Sequence, residues 1–229
     1  MADAVEIKVL SGGAMQGLMT EVVPLFERAN GHKVAVEFGL TSTLRKAIEN
    51  GAKFDLALLP RPDIDALARG GRIAAGTATD ITRSAIGVAV RRGAPKPDIA
   101  TVGAFKRTLQ QAQSITYSDG PSGLYIAGLL ERLGLAAEVK PKTKLTTGPV
   151  AELVAKGEAE IGIQQIVAIL PVKGAELVGP LPSELQNIIV YAAGFAAGAE
   201  PSKAARALVA FMATSEVASI IRAKGMAPA

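Results

Sequence analysis

Three times between residues 5 and 71 the chain repeats one plan: a short apolar strand, a turn of small residues, and a stretch with apolar residues at helical spacing. Residues 5–10 alternate like a strand and end in Ser11-Gly12-Gly13, after which Met15, Leu18, Met19, Val22, Val23 and Phe26 mark one face of a helix over 14–29. The second unit pairs a strand over 32–38 with a helix over 43–50, across the turn Gly39-Leu40-Thr41-Ser42. The third runs from a strand over 54–59, through Pro60-Arg61, to a helix over 63–69 stopped by Gly70-Gly71. Successive βα units imply a parallel sheet, and ligands of such sheets sit at the carboxyl ends of the strands, where these turns converge.

The plan then breaks. Residues 84–90 form a long apolar run that leads into a basic, proline-punctuated stretch over 91–97, which reads as a passage into a second lobe. That lobe is expected to hold helices over 102–112, 122–133 and 150–156 and strands over 114–116, 142–145 and 160–163. A second long apolar run over 187–195 reads as the return, followed by amphipathic helices over 202–212 and 215–224. The expected fold class is therefore α/β, with two discontinuous doubly wound lobes joined by two crossover strands. Residues 1–86 with 190–229 make lobe I, residues 87–189 make lobe II, and a small ligand is expected in the cleft between them. With 229 residues the chain is long enough for two lobes, each with its own core.

Within lobe II, Tyr117-Ser118-Asp119-Gly120-Pro121-Ser122-Gly123-Leu124-Tyr125 turns a strand abruptly into a helix. The first N–H groups of such a helix have no partner within it, which makes the turn a cradle for an anion. The plainer alternative is an ordinary connection in which Asp119 or Ser122 caps the helix. Composition narrows the partner. There is no cysteine and one histidine, His32, which rules out thiolate metal sites and His-based catalytic triads; neither a metal nor a cofactor is expected. The net charge is +4, but the aromatic fraction is 4%, tryptophan is absent and the basic residues are scattered, so a small anion fits better than a nucleic acid. His32, after Asn30-Gly31, is expected to be an exposed loop residue. Met1-Ala2-Asp3-Ala4 leads at once into the first strand, as the mature end left by removal of a signal peptide would, so a periplasmic location is expected; the protein is also expected to be a monomer.

Several stretches together resemble the periplasmic solute-binding proteins of ABC importers, type II, in the molybdate-binding-protein-like group. They are Ser11-Gly12-Gly13-Ala14-Met15, Thr41-Ser42-Thr43-Leu44, Gly51-Ala52-Lys53-Phe54-Asp55-Leu56, Pro121-Ser122-Gly123-Leu124-Tyr125 and Gly157-Glu158-Ala159-Glu160-Ile161-Gly162. The resemblance spans nearly the whole chain. It implies a small anion held by hydroxyls and backbone N–H groups from turns at Ala14, Thr41, Ser122, Thr147 and Gln165, and an ABC importer as partner. Ala14 and Gln165 stand where the molybdate pattern has a serine and a tyrosine. Losing a hydroxyl donor to a buried oxyanion costs about 1–3 kcal/mol, so the departures point away from molybdate. Tyr117-Ser118-Asp119, the run from Gly157 through Gln164-Gln165, and Leu170-Pro171-Val172-Lys173-Gly174 are similar to the subgroup that includes a cofactor-independent aconitate isomerase. That similarity implies a di- or tricarboxylate as ligand, for which planar Arg and Gln forks are suited.

The candidate ligand contacts are accordingly Ser11, Gly12, Gly13, Thr41, Ser42, Thr43, Arg61, Arg83, Ser118, Ser122, Gly123, Leu124, Thr147, Gln164 and Gln165. For several a structural role competes: the glycines make a turn, Ser42 caps a helix, Arg61 and Arg83 lie on the surface. If the chain is an isomerase, a base must remove an allylic proton and a second group return one. Asp119, Tyr117 and Tyr125 are the candidates, and capping competes for Asp119.

Overall fold

The computed structural model describes residues 4–198 and 200–229. The expectation for Met1, Ala2 and Asp3 lies outside them. In chain order the first elements are β1 (Glu6–Gly12), α1 (Gln16–Asn30), β2 (Lys33–Gly39), α2 (Thr41–Glu49), β3 (Leu56–Pro60), α3 (Arg61–Arg69) and β4 (Thr79–Ser84). There follow β5 (Ile86–Arg91), α4 (Val102–Gln111), β6 (Ile115–Ser118), α5 (Pro121–Arg132), α6 (Ala136–Val139), β7 (Thr143–Thr146), α7 (Val150–Ala155), β8 (Ile161–Gln165), α8 (Ile166–Ile169) and β9 (Ala175–Pro180). The chain ends with β10 (Ile189–Phe195), α9 (Lys203–Met212), α10 (Ser215–Ala223) and β11 (Met226–Pro228). No single described helix is long and apolar enough to cross a membrane.

The chain divides into two compact units, residues up to Arg83 with Ile189–Ala229, and Ser84–Ile188. The apolar run over 84–90 is not one strand. It breaks at Ala85, so that β4 ends in the first sheet and β5 begins in the second.

The first unit is a sheet in the order β11-β4-β10-β3-β1-β2. β1 runs parallel to β2, with Gly12 opposite Gly39, and parallel to β3, with Ser11 opposite Leu58. β10 is antiparallel to β3 and sets Tyr191 opposite Pro60. Leu56-Ala57-Leu58-Leu59 is apolar without alternation because β3 is buried on both faces. α1 buries Leu18, Met19, Val22 and Phe26, and Phe26 meets Phe211 of α9 edge-on at 5.7 Å. His32 is half-buried rather than free in a loop: its ring lies 6.5 Å from Phe26, and its Nδ1 accepts the Val5 N–H at 3.4 Å. Both contacts pull it inward from the turn.

The second unit is a sheet in the order β7-β6-β8-β5-β9. β6 is parallel to β7 and β8, with Ser118 opposite Thr146 and Thr116 opposite Gly162. β5 is antiparallel to β8, with Ile86 opposite Gln165. Sequence periodicity did not reveal β4, β9 or β11; β9 and β11 lie at sheet edges, where the apolar pattern is weakest, and β4 lies next to β11. The core packs Phe105, Leu109, Ile115, Ile126, Leu129 and Ile163 between α4, α5 and the sheet.

Gly162 marks how closely α7 is set on this sheet. A methyl group there would lie 2.6 Å from Val154 Cγ2 and 3.0 Å from Val150 Cγ1. Gly162→Val is expected to lower the free energy of unfolding by about 1–3 kcal/mol through overpacking, measured as a shifted urea midpoint; an unshifted midpoint would show that α7 does not pack on this strand.

Candidate functional site

In the first unit the parallel strands β1, β2 and β3 deliver their carboxyl ends to one edge. There Ser11 is fully buried, and its hydroxyl makes a long contact of 3.4 Å to the Gly12 carbonyl. Gly12 precedes a 3-10 turn, Gly13–Met15, that leads into α1. Ser42 is not a cap: α2 starts at Thr41, its N-cap is Leu40, and no side chain caps it. The first bond of the helix is Leu44 N–H to Leu40 O at 3.0 Å. The N–H groups of Thr41, Ser42 and Thr43, the first three of α2, thus accompany three hydroxyls at this edge. Gly12 admits the neighbouring turn closely, since a methyl on it would sit 3.5 Å from Thr41 Oγ1.

The arginines of this unit differ. Arg61 opens α3, with its Nε donating to Asp65 at 2.8 Å and its Nη1 to Asp80 at 2.7 Å. Asp80 first and then Asp65 hold the guanidinium in its charged form, and its Nε and Nη1 are occupied. Arg83 lies exposed on β4 between buried Thr82 and Ser84 and has no hydrogen-bond or ion-pair partner among the described residues. The Ser84 hydroxyl is buried without a partner.

In the second unit β6, β7 and β8 also end together. α5 starts at Pro121 with Gly120 as N-cap, and neither Asp119 nor Ser122 caps it. Instead the Asp119 N–H donates to Thr146 O at 3.1 Å, which joins the ends of β6 and β7, while the residue stays exposed. Ser122 is buried, in the second position of the helix. Gly123 presses on the peptide of Ser118: a methyl there would lie 1.5 Å from the Ser118 carbonyl oxygen. Only glycine fits, and the strand can turn into the helix this sharply because of it.

Leu124 falls outside this cradle by its chemistry. Its N–H is spent on Gly120 O at 2.9 Å, and its side chain is 69% exposed. Thr147 is exposed beside a turn in which the Thr146 hydroxyl accepts the Gly148 N–H at 2.9 Å. Gln164 accepts the Ala151 N–H at 3.4 Å, at the start of α7. Gln165 is buried and occupies the N-cap position of α8. Ser118, Ser122, Gly123, Thr147, Gln164 and Gln165 therefore share one edge of this sheet.

The candidate proton carriers separate as well. Tyr125 donates its hydroxyl to Leu185 O at 3.0 Å, with Arg132 over its ring at 5.3 Å, so it braces α5. Tyr117 is half-buried against the core, and burial, then the charge of Glu131, push its phenol above the ordinary 10.0. It is protonated at neutral pH and can donate a proton but not take one. Among the described residues no three His, Cys, Asp or Glu side chains are grouped to hold a metal ion.

A family model described as bacterial extracellular solute-binding protein matches residues 7–227. The chain is 34% identical to a protein named aconitate isomerase from a Pseudomonas species, over 97% of this chain and 87% of the other. It is 26% identical to the molybdate-binding protein ModA of Azotobacter vinelandii, over 98% and 90%. Among solved structures, the substrate-binding domain of a putative molybdenum ABC transporter from Clostridium difficile superposes with a TM-score of 0.79 at 17% identity, covering 99% of this chain and 100% of that one. The A. vinelandii periplasmic molybdate-binding protein gives 0.78 at 19%, covering 96% and 98%. At these identities the structures establish the fold, that of the type II periplasmic binding proteins, as the sequence led one to expect.

Because the folded protein holds Tyr117 in its neutral form, the stability that Tyr117 confers is complete below its ordinary value of 10.0 and is lost as the pH rises through the higher folded value. The Tyr117 ring carbon resonance, assigned by its loss in Tyr117→Phe, is expected to titrate above pH 10 and to move down in Glu131→Gln. A titration at or below 10 in the native chain would contradict the burial.

Proposed function

Since the chain belongs to the bacterial extracellular solute-binding protein family, we propose that it captures a small organic di- or tricarboxylate outside the cytoplasm, in the periplasm, and presents it to an ABC importer. The observation that carries this reading is the chemistry around two of the helix starts that lack a capping side chain. α2 and α5 each begin at the end of a parallel strand, among hydroxyls, with no side chain satisfying their first N–H groups. Both edges are thus supplied with neutral donors aimed at an anion. We assign the contacts to Ser11, Gly12, Gly13, Thr41, Ser42 and Thr43 on one unit and to Ser118, Ser122, Gly123, Thr147, Gln164 and Gln165 on the other. Arg83, exposed and unpaired, supplies a fork for a carboxylate, whereas Arg61 is left out because Asp65 and Asp80 occupy it. A carboxylate is favoured over molybdate because Ala14 brings no hydroxyl and Gln165 brings a planar amide.

A second reading is favoured by one finding, the 34% identity to the Pseudomonas aconitate isomerase over nearly the whole chain. On this reading the same edge interconverts cis- and trans-aconitate without a cofactor. Asp119 removes a methylene proton, the double bond shifts along the allyl system, and protonated Tyr117 returns a proton to the other carbon. Proton exchange with water then resets both side chains, so that no net proton is consumed.

Calorimetric titration with trans-aconitate, citrate and molybdate, followed by NMR of the aconitate mixture, separates the outcomes. Carboxylate binding with unchanged isomer ratio supports the transport role, and interconversion supports the isomerase. Tighter binding of molybdate than of either carboxylate would overturn the ligand class. Ser122→Pro removes a donor at a position where a first helical turn tolerates proline, and is expected to weaken carboxylate binding at least tenfold, about 1.4 kcal/mol; unchanged affinity in the folded variant would remove this turn from the site.

A further inference from the structure

α5 carries no side-chain cap, and its first turn is held from elsewhere. Tyr125 donates its hydroxyl to Leu185 O at 3.0 Å. Leu185 closes a 3-10 turn, Ser183–Leu185, and the next residue clasps β5. The Gln186 Oε1 accepts the Ile86 N–H at 2.8 Å, and its Nε2 donates to the Ile86 carbonyl at 3.0 Å. The same Oε1 accepts the Asn187 N–H at 3.1 Å, and Leu181 N–H donates to Ile86 O at 3.0 Å. Ile86 opens β5 just after the chain passes from the first unit at Arg83/Ser84, and Asn187 lies just before it returns at Ile188/Ile189. Every bond of this series is inside the second unit.

We propose that Tyr125 and Gln186 are positioning residues for the anion-binding turn of residues 118–123, forming one hydrogen-bonded strut from the start of α5 to both points where the chain passes between units. The proposal rests on the reading of that turn as the binding edge. The chemistry explains the residue types. A primary amide offers, on separate atoms of one planar group, an acceptor for a peptide N–H and a donor for the carbonyl of the same residue. A tyrosine reaches from the helix through a rigid ring, with a hydroxyl at its tip. With no capping side chain at Gly120, the direction of the first N–H groups is set by how α5 is braced, and Tyr125 stands one turn in from them. Sequence reading missed Gln186; its only signal is an amide pair, Gln186-Asn187, just ahead of the returning strand.

The test is hydrogen exchange on the ligand-free full chain at the amides of Leu124, Tyr125 and Ile126, in Tyr125→Phe, Gln186→Leu and the double variant. Thr143→Val serves as a control: it deletes a bond of 2.8 Å to Val139 O at the start of β7. Exchange is expected to quicken at least tenfold in each single variant. In the double variant it should be little faster than in the more affected single one, since both changes cut the same strut. Thr143→Val should lower the melting temperature without altering these amides. Unchanged exchange in either folded single variant, or effects that multiply in the double, would overturn the strut. Titration with trans-aconitate adds the binding side: a fivefold or greater rise in Kd in both single variants supports positioning, and an unchanged Kd removes it. If the native chain binds neither trans-aconitate nor citrate, the proposed ligand class fails, while the exchange data still decide the strut.

Discussion

A helix that starts where a parallel strand stops must leave its first N–H groups to something other than itself. In this protein α2 and α5 both do so without a capping side chain. Much else follows from that constraint. The glycines at the strand ends are those that let one turn approach another: Gly12 beside Thr41, and Gly123 against the Ser118 peptide. The sheets are parallel where it matters, so that several strand ends gather the turns at one edge of each unit. The hydroxyls of Ser11, Thr41, Ser42, Thr43 and Ser122 then sit among oriented peptide dipoles.

The βα alternation was legible because residue spacing alone separates strand from helix, and the order of turns then carried the family resemblance. What stayed hidden was where hydrogen bonds fall. Asp119, Ser122 and Ser42 all have the composition of helix caps, yet the caps are Gly120 and Leu40, because tertiary contacts such as Asp119 N–H to Thr146 O fix the turn first. Arg61 looked like a ligand fork at a strand end, but the carboxylates that occupy it come from Asp65, four residues on, and from Asp80, far along the chain. Tyr125, a candidate proton carrier by its place in the turn, turns its hydroxyl to Leu185, sixty positions away by number. Distances of that kind have no period and leave no local mark.

Division of labour among similar residues is the common thread of the candidate site. Tyr117 and Tyr125 lie on either side of one turn, and one is pushed by burial and Glu131 toward permanent protonation while the other is consumed as a brace. Gln164 and Gln165 are adjacent, and the strand's alternation sends the first to Ala151 at the start of α7 and buries the second. Thr146 shapes a turn by accepting from Gly148, which leaves Thr147 exposed.

The occupied guanidinium of Arg61 has an evolutionary consequence. With that charge neutralised by Asp65 and Asp80, the donors proposed for an anion at the two sheet edges are, Arg83 apart, neutral side chains and peptide N–H groups, and a peptide N–H is lost only to proline. On the proposed reading, hydroxyl can be exchanged for amide or methyl around those groups, as at Ala14 and Gln165. On that reading the guest is chosen by side chains and the preference for negative charge is kept by the backbone.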